Sequence, residues 1–158
     1  MAKLKVLIIS HAYAEEANLA KVVALAKSDD LEVGVLYPEK WRTWHGEDKV
    51  KGDFSRSELF HTFTLPTFFS GDSGLYFFHP LKFYRLLREF NPDLIHLEEE
   101  PWTPVAGETA FMAKKLKKKL IFFSWENIDL YLNYWRRFIE KFVFRNSSAA
   151  IAGNQGAR

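Results

Sequence analysis

The chain has 158 residues, the size of one α/β domain, and with 47% hydrophobic and 16% aromatic residues it can fill a core. Its 22 basic and 20 acidic residues leave a net charge of +2, which gives no reason to expect a nucleic-acid partner. The absence of cysteine excludes disulfides and thiolate metal sites, and no apolar run approaches the roughly 18 residues that span a membrane. The first strand begins too soon for a signal peptide, so we expect a cytoplasmic protein.

Strands and helices alternate from the start of the chain. Lys3–Ser10 is a continuous apolar run, which is typical of a strand buried on both faces. Apolar residues at helical spacing predict a helix over Ala14–Lys27, followed by a strand over Leu31–Tyr37. Glu39–Asp53 is polar and predicts a loop, whereas the alternating Glu58–Leu65 predicts a strand.

The second half of the chain continues the alternation after a turn at Ser70–Gly74. Its predicted elements are, in chain order, helix Leu81–Phe90, strand Leu94–Leu97, helix Thr103–Leu116, strand Leu120–Ser124, helix Leu130–Arg145 and strand Ala149–Ala152. This alternation predicts a Rossmann-like, three-layer α/β/α fold around a mostly parallel sheet.

Polar and aromatic residues follow the predicted strands. The segments at these strand ends are Ser10–Glu16, Pro38–Arg42, His96–Trp102, Ser124–Asn127 and Gly153–Gln155. Ligands of an open parallel sheet bind beyond the carboxyl ends of its strands. Carboxylates and amides bind sugar hydroxyls and indole faces stack on sugar rings, so the combination predicts a sugar-binding cleft.

Several common site motifs are missing. There is no G-x-G-x-x-G turn, no P-loop and no G-x-S-x-G elbow. No two histidines share metal-ligand spacing with a carboxylate, so we expect neither a metal nor another cofactor.

Five segments together carry a family resemblance. They are Val6–Tyr13 (VLIISHAY), Leu36–Arg42 (LYPEKWR), Pro92–Trp102 (PDLIHLEEEPW), Phe122–Asn127 (FFSWEN) and Ala149–Asn154 (AAIAGN). With them the whole chain resembles the N-terminal domain of retaining GT-B fold glycosyltransferases, the group often labelled glycosyl transferases group 1. It looks like the branch with a Pro-Asp-x-Ile-His-x-Glu-Glu-Glu-Pro block.

The resemblance implies two Rossmann-like domains facing across a cleft, of which residues 1–158 form the N-terminal, acceptor-side domain. We expect the donor-binding C-terminal domain to be missing and this chain alone to be inactive. The implied full activity is a glycosyltransferase of the hexosyltransferase type. It would move a sugar from a nucleotide-sugar substrate to a glycan or lipid-linked acceptor with retention. The alternative is a stand-alone, flavodoxin-like module that binds sugar or nucleotide without catalysis.

The sequence departs from the family pattern at two places. The turn Ser10–Tyr13 replaces the glycine-rich turn that approaches donor phosphates in many relatives. Glu126 and Asn127 stand where many relatives have a His-Asn pair at the reaction centre. Glu126 cannot act as a neutral imidazole, but it can accept a sugar hydroxyl or stabilise positive charge at the anomeric carbon.

We therefore expect Glu126 and Glu99 to be catalytic. The expected ligand-binding residues are His11, Tyr13, Glu98, Glu100, Trp102 and Asn127. Simpler roles stay open: one of the three glutamates could cap the helix that follows, Asn127 could cap the last helix, and His11 could be a hydrogen-bonded turn residue. His96, inside a strand, is expected to be a satisfied core histidine.

Two basic segments allow a second partner. The lysine run Lys114–Lys119 predicts a solvated helix end that complements the helix dipole, with contact to anionic lipid as the alternative. Trp135–Arg145 mixes aromatic and basic residues as interfacial helices do, but we expect its apolar stripe to belong to the core. Peripheral contact with a membrane is thus the alternative to a purely cytoplasmic location.

Overall fold

The computed structural model describes residues 2–42, 58–125 and 132–154, together with the backbone of residues 48–50. The strands are β1 Leu4–Ile9, β2 Leu31–Pro38, β3 Lys40–Arg42, β4 Asp48–Val50, β5 His61–Leu65, β6 Thr67–Phe68, β7 Phe77–Phe78, β8 Leu94–Leu97, β9 Lys119–Ser124 and β10 Ala149–Ala152. The α-helices are α1 Ala20–Ala26, α2 Pro80–Phe90, α3 Pro104–Leu116 and α4 Tyr134–Asn146.

Six of these strands form one parallel sheet in the order β10-β9-β8-β1-β2-β5. The order reverses at β1, whose neighbours are β2 on one side and β8 on the other. Ile9 at the end of β1 is in register with both Leu36 and Leu97. The residues that follow β1 and β8 therefore emerge side by side, at the position where ligands bind in open α/β sheets.

Helices cover both faces of the sheet, which confirms the predicted Rossmann-like α/β fold. Successive residues of a strand point to opposite faces, so β1 contributes Leu7 and Ile9 to one core and Val6 and Ile8 to the other. The first core is closed by α2, α3 and α4, and the second by α1. This explains why β1 is apolar at almost every position.

The predicted helix Ala14–Lys27 is shorter than its sequence pattern. Two 3-10 turns, His11–Ala14 and Glu16–Leu19, precede the α-helix, which starts only at Ala20. Side chains hold these turns locally: Ser10 Oγ accepts the Ala12 N–H at 3.2 Å, and the Asn18 amide donates to the Ala12 carbonyl at 2.7 Å. Such side-chain bonds compete with regular helix formation.

The expected loop Glu39–Asp53 also needs correction. It contains β3 and β4, which pair antiparallel with Trp41 in register with Lys49. Residues 43–47 and 51–57 lie outside the described part of the chain.

The prediction that the apolar stripe of Trp135–Arg145 belongs to the core was wrong at two positions. Trp135 is 72% and Phe138 is 58% exposed, whereas Ile139, Phe142 and Val143 pack on the core. Ile139 contacts α3 at Gly107, where a Cβ would lie 3.0 Å from Ile139 Cγ2. Gly107 lies in the first turn of α3. The turn of α4 that precedes Ile139 therefore lies at the start of α3, where it has little helix surface to pack on.

Candidate functional site

A cleft of about 280 Å³ lies at the carboxyl edge of the sheet, where the strand order reverses. Its walls come from three strand exits and from the segment before α2. The lining residues are Ser10, His11, Ala12, Ser73, Glu98, Glu99, Glu100, Trp102, Thr103, Phe123 and Trp125. The structure thus brings the first, fourth and fifth strand ends of the large sheet together, as the sequence predicted.

Glu99 is the polar centre of the cleft floor, with its side chain only 3% exposed. Its Oε1 accepts hydrogen bonds from the Tyr76 hydroxyl at 2.7 Å, the His11 N–H at 2.8 Å and the Ser10 hydroxyl at 3.1 Å. His11 Nδ1 is also 2.7 Å from the same oxygen. Burial of a carboxylate is costly without such partners, so this network is what allows Glu99 to lie here.

The network sets the orientation and tautomer of His11. An oxygen that already receives three donors acts as an acceptor, so we assign the proton to Nδ1 of His11. Nε2 is then the ring nitrogen that Glu99 does not engage. The ring is also held by Trp41, with centroids 4.7 Å apart.

Tyr76 remains a donor in this network. Burial, followed by the neighbouring Glu99 carboxylate, raises the pKa of the Tyr76 phenol well above its usual value. The hydroxyl therefore keeps its proton at every physiological pH and can only donate it to Glu99.

Glu98 is held by a separate set of partners. Its Oε2 accepts the Tyr13 hydroxyl at 2.7 Å, and its Oε1 forms an ion pair with Lys21. Burial, and then the bond to Glu98, raises the pKa of Tyr13, so this hydroxyl also remains protonated. Tyr13 is buried under Glu98 and is not part of the cleft wall.

Glu100 joins β8 to the end of β9. It accepts the Ser124 hydroxyl at 2.6 Å with Oε2 and the Trp125 N–H at 2.8 Å with Oε1. The N-cap of α3 is Thr103, whose Oγ1 accepts the Ala106 N–H at 3.3 Å, and not one of the three glutamates.

Aromatic side chains form the rim of the cleft. Trp125 is 65% exposed, and Trp102 carries the Arg136 guanidinium 4.4 Å from its ring centroid. A flat, accessible indole beside fixed polar groups can stack on the apolar face of a sugar ring. Arg136 also shows that α4 begins next to the cleft.

The predicted residues divide into three groups. His11, Glu98, Glu99, Glu100 and Trp102 line one cleft, and Tyr13 supports it through Glu98. Glu126 and Asn127 lie outside the described residues, so their roles stay predictions. His96 is mostly enclosed in β8, but its Nε2 has no hydrogen-bond partner among the described residues, and burial lowers its pKa.

Three residues of the site were not expected from the sequence. Ser73 lies within the predicted turn, Tyr76 follows that turn, and Arg136 comes from a helix that we assigned to the scaffold. No motif marks them, because they reach the cleft only through the packing of the hairpin β6–β7 and of α4. Ser10 and Trp41, by contrast, are strand-exit residues that the sequence had already placed at this edge.

Within the described ranges, no three His, Asp or Glu side chains are grouped so that they could hold a metal ion. Nor is any helix in those ranges long and apolar enough to cross a bilayer.

Comparison with solved structures finds the same fold in enzymes of different chemistry. A protein assigned as a UDP-N-acetylglucosamine 2-epimerase from Listeria monocytogenes superposes over 99% of this chain with a TM-score of 0.61 and 16% identity. The UDP-GlcNAc 2-epimerase of Methanocaldococcus jannaschii superposes over 98% with a TM-score of 0.54 and 15% identity. A short-chain dehydrogenase/reductase from Veillonella parvula covers 96% with a TM-score of 0.54 and 10% identity.

At these identities the likeness establishes the fold alone, a Rossmann-like α/β domain. The chain spans about two fifths of each epimerase, 41% and 40%. No protein-family model matches the chain, and no curated protein matches it by sequence.

Proposed function

We propose that this chain is the acceptor-side domain of an enzyme that uses a nucleotide sugar, and more specifically of a retaining glycosyltransferase with the GT-B fold. The observation that carries the proposal is the His11 ring, held by buried Glu99 in an aromatic-walled cleft at the reversal of the strand order. The residue block Pro92–Trp102, which suggested the family, supplies Glu98, Glu99, Glu100 and Trp102 to the lining of this cleft.

In this proposal His11 binds the acceptor and Glu99 positions His11. Nε2 of His11 accepts a hydrogen bond from a sugar hydroxyl, because Nδ1 is already directed to Glu99. Trp125 and Trp102 offer indole faces to the sugar ring. Because the side chain of Glu99 is almost completely buried, Glu99 acts through His11 rather than by direct contact with the substrate.

Glu126 remains our proposed catalytic group, and Asn127 a proposed ligand-binding residue, on the resemblance alone. Both follow Trp125, the last described residue of the β9 exit. The proposed location is cytoplasmic, where nucleotide sugars are available as donors, and the proposed reaction uses no metal.

A nucleotide-sugar epimerase is the second candidate. The supporting observation is that several of the solved structures with this fold are described as UDP-GlcNAc 2-epimerases. An epimerase needs the nucleotide sugar alone, whereas a transferase also needs a separate acceptor.

The domain's own binding preference tests the proposal. We would titrate the chain with chitobiose and octyl β-D-glucoside, and separately with UDP-GlcNAc and GDP-mannose, while following the indole N–H signals of Trp102 and Trp125 by NMR. We expect the acceptor-type sugars to shift both signals at millimolar concentration, and Trp125→Ala to abolish the shift of the remaining Trp102 signal. Nucleotide sugars should bind no tighter than about 100 μM, roughly −5.5 kcal/mol.

Micromolar affinity for a nucleotide sugar, without any response to free sugars, would contradict the acceptor-side assignment. It would favour the stand-alone nucleotide-binding module or the epimerase instead.

A further inference from the structure

Charge is distributed very unevenly over this nearly neutral chain. The three helices on one face of the sheet, with the lysines after α3, carry a surplus of nine cations, although the whole chain has only +2. The cations are Lys82, Arg85, Arg88, Lys114, Lys115, Lys117, Lys118, Lys119, Arg136, Arg137, Lys141 and Arg145, against Glu89, Glu108 and Glu140. The rest of the chain is correspondingly acidic.

The outer side of α4 adds exposed aromatic residues to this basic face. Tyr134 is 84% exposed, and it lies beside the exposed Trp135 and Phe138. Arg137 and Lys141 are exposed on the same helix between and after them. Residues three and four apart lie on one side of a helix, so Tyr134, Arg137, Phe138 and Lys141 form one stripe.

The basic face continues from α4 onto α3. The Lys114 ammonium lies 5.7 Å from the centroid of Phe142, so the lysine-rich end of α3 borders the second half of α4. At 1.5 Å per residue the 13 residues of α4 extend over about 20 Å. The result is a helix whose most exposed aromatics lie toward the cleft end, with cations along its length and at its far end.

We propose that this surface, α4 together with the lysines at the end of α3, docks the protein on an anionic lipid bilayer. Tryptophan and tyrosine favour the membrane–water interface, and clustered lysine and arginine bind the headgroups of anionic lipids. A helix with exposed aromatic and cationic side chains lies flat in such an interface. Single-stranded nucleic acid, which also binds cations and aromatics, is held in a groove, whereas these aromatics stand on the convex side of a helix.

Docking through α4 places the cleft beside the lipid. Arg136 of α4 stacks on Trp102 at the cleft rim, so the aromatic end of the docking surface adjoins the cleft. Under the proposed function, this position fits an acceptor whose lipid end stays in the bilayer while its sugar enters the cleft. The docking itself does not depend on that function.

Vesicle co-sedimentation of the chain tests the docking. We expect the chain to bind vesicles of mixed phosphatidylcholine and phosphatidylglycerol, to bind phosphatidylcholine vesicles at least about tenfold more weakly, and to be released by high salt. Brominated lipid should quench tryptophan fluorescence, and Trp135→Phe should remove most of that quenching while retaining binding.

Variants of α4 test whether this helix is the surface that binds the vesicles. Arg137→Glu with Lys141→Glu should weaken partition into anionic vesicles at least about tenfold, and Trp135→Ala with Phe138→Ala should weaken it by a similar factor. The controls are Lys27→Glu, an exposed cation at the end of α1 on the opposite face, and Phe69→Ala, an aromatic outside α4 that is 63% exposed. Circular dichroism and melting curves confirm that each variant is folded.

Several results would overturn the proposal. They are no binding to anionic vesicles, equal loss in the control variants, or undiminished binding by both α4 double variants. Binding of single-stranded oligonucleotides that competes with vesicles and is lost in the same variants, without bromolipid quenching of Trp135, would assign the surface to nucleic acid instead. Sugar binding in the cleft is measured separately, so either proposal can fail alone.

Discussion

Glu99 shows how a single carboxylate oxygen can organise a site. Its Oε1 is approached by four donors, more than the two lone pairs of one oxygen can bind with ideal geometry. The donors therefore share it, and the stability of the arrangement depends on the negative charge of the acceptor. Hydrogen bonds to a charged group contribute about 1.5–3 kcal/mol each, roughly twice the neutral value.

We expect Glu99→Gln to destabilise the fold as well as to impair the site. Replacing the carboxylate by an amide weakens the bonds from Tyr76, Ser10 and His11 at once, so the free energy of unfolding should fall by about 2–4 kcal/mol. Urea denaturation measures this loss. Glu140→Gln, in which the altered carboxylate belongs to α4, should change stability by no more than about 0.5 kcal/mol.

Equal stability of the two variants would contradict the role of Glu99 as the centre of the network. Glu126→Gln offers a contrast in an active enzyme that contains this domain. There we expect turnover to fall about 10²–10³-fold while stability is retained.

Glu108 gives stability an unusual dependence on pH. Its Oε2 accepts the Phe78 N–H at 2.9 Å, while Oε1 is buried without a hydrogen-bond partner among the described residues. Burial raises the pKa of Glu108 from 4.5 to about 7. The folded chain therefore binds a proton more tightly than the unfolded chain, and this contribution to stability is full below the unfolded pKa and is lost as pH rises toward 7.

We expect Glu108→Gln to be more stable than wild type by about 1–3 kcal/mol at about pH 8, and equally stable at about pH 4. Urea denaturation of both proteins across this range measures the difference. His96 has an opposite effect, because its lowered pKa reduces stability as pH falls. Since His96 is present in both proteins, its contribution cancels in the difference between them. A constant difference between the two proteins at every pH would show that Glu108 is not responsible.

Helix ends decide stability at the scale of the element. Asn91 and Lys117, the residues that end α2 and α3, both adopt left-handed backbone with φ of 53° and 55°. Asn tolerates this conformation, and its side chain also accepts a hydrogen bond from Lys118 at 2.6 Å. Lys117 has a Cβ and no local compensation of that kind, so glycine is the residue expected at its position.

Lys117→Gly should therefore raise stability by about 0.5–1 kcal/mol, which for a chain of this size is about 2–4 °C in melting temperature. The control is Lys117→Ala, which removes the same charge but keeps a Cβ at the position of positive φ. Thermal denaturation that showed the same shift for both variants would attribute the gain to charge rather than to backbone conformation.

At the scale of the whole molecule, two cores share one sheet. Buried residues of β1 and β2 enter both cores. If either helical layer separated from the sheet, it would therefore expose strands on which the other layer also packs. We expect a single unfolding transition, seen alike by far-ultraviolet and near-ultraviolet circular dichroism. A chain that kept its far-ultraviolet signal but lacked a near-ultraviolet signal would contradict this expectation.

Local sequence patterns determined most of the fold of this protein. The predicted strands Leu94–Leu97 and Ala149–Ala152 agree with β8 and β10, and most other predicted strands agree within a few residues. Continuous apolar runs and helical spacing are short-range signals, so they can be read without knowledge of how distant segments pack. The same signals placed the exits of β1, β8 and β9 at one edge of the sheet.

Tertiary packing decided what local patterns do not encode. Tyr76 reaches Glu99 over 23 residues of sequence, and Ser10 reaches it over 89, so their hydrogen bonds depend on how the hairpin and the sheet pack. The exposure of Trp135 depends on where α4 meets α3. The apolar pattern of α4 alone does not indicate this position. The sequence determined the strands, the helices and the edge that carries the cleft. Only the packing of distant segments determined that Glu99 is buried in contact with His11 and that α4 turns its aromatics outward.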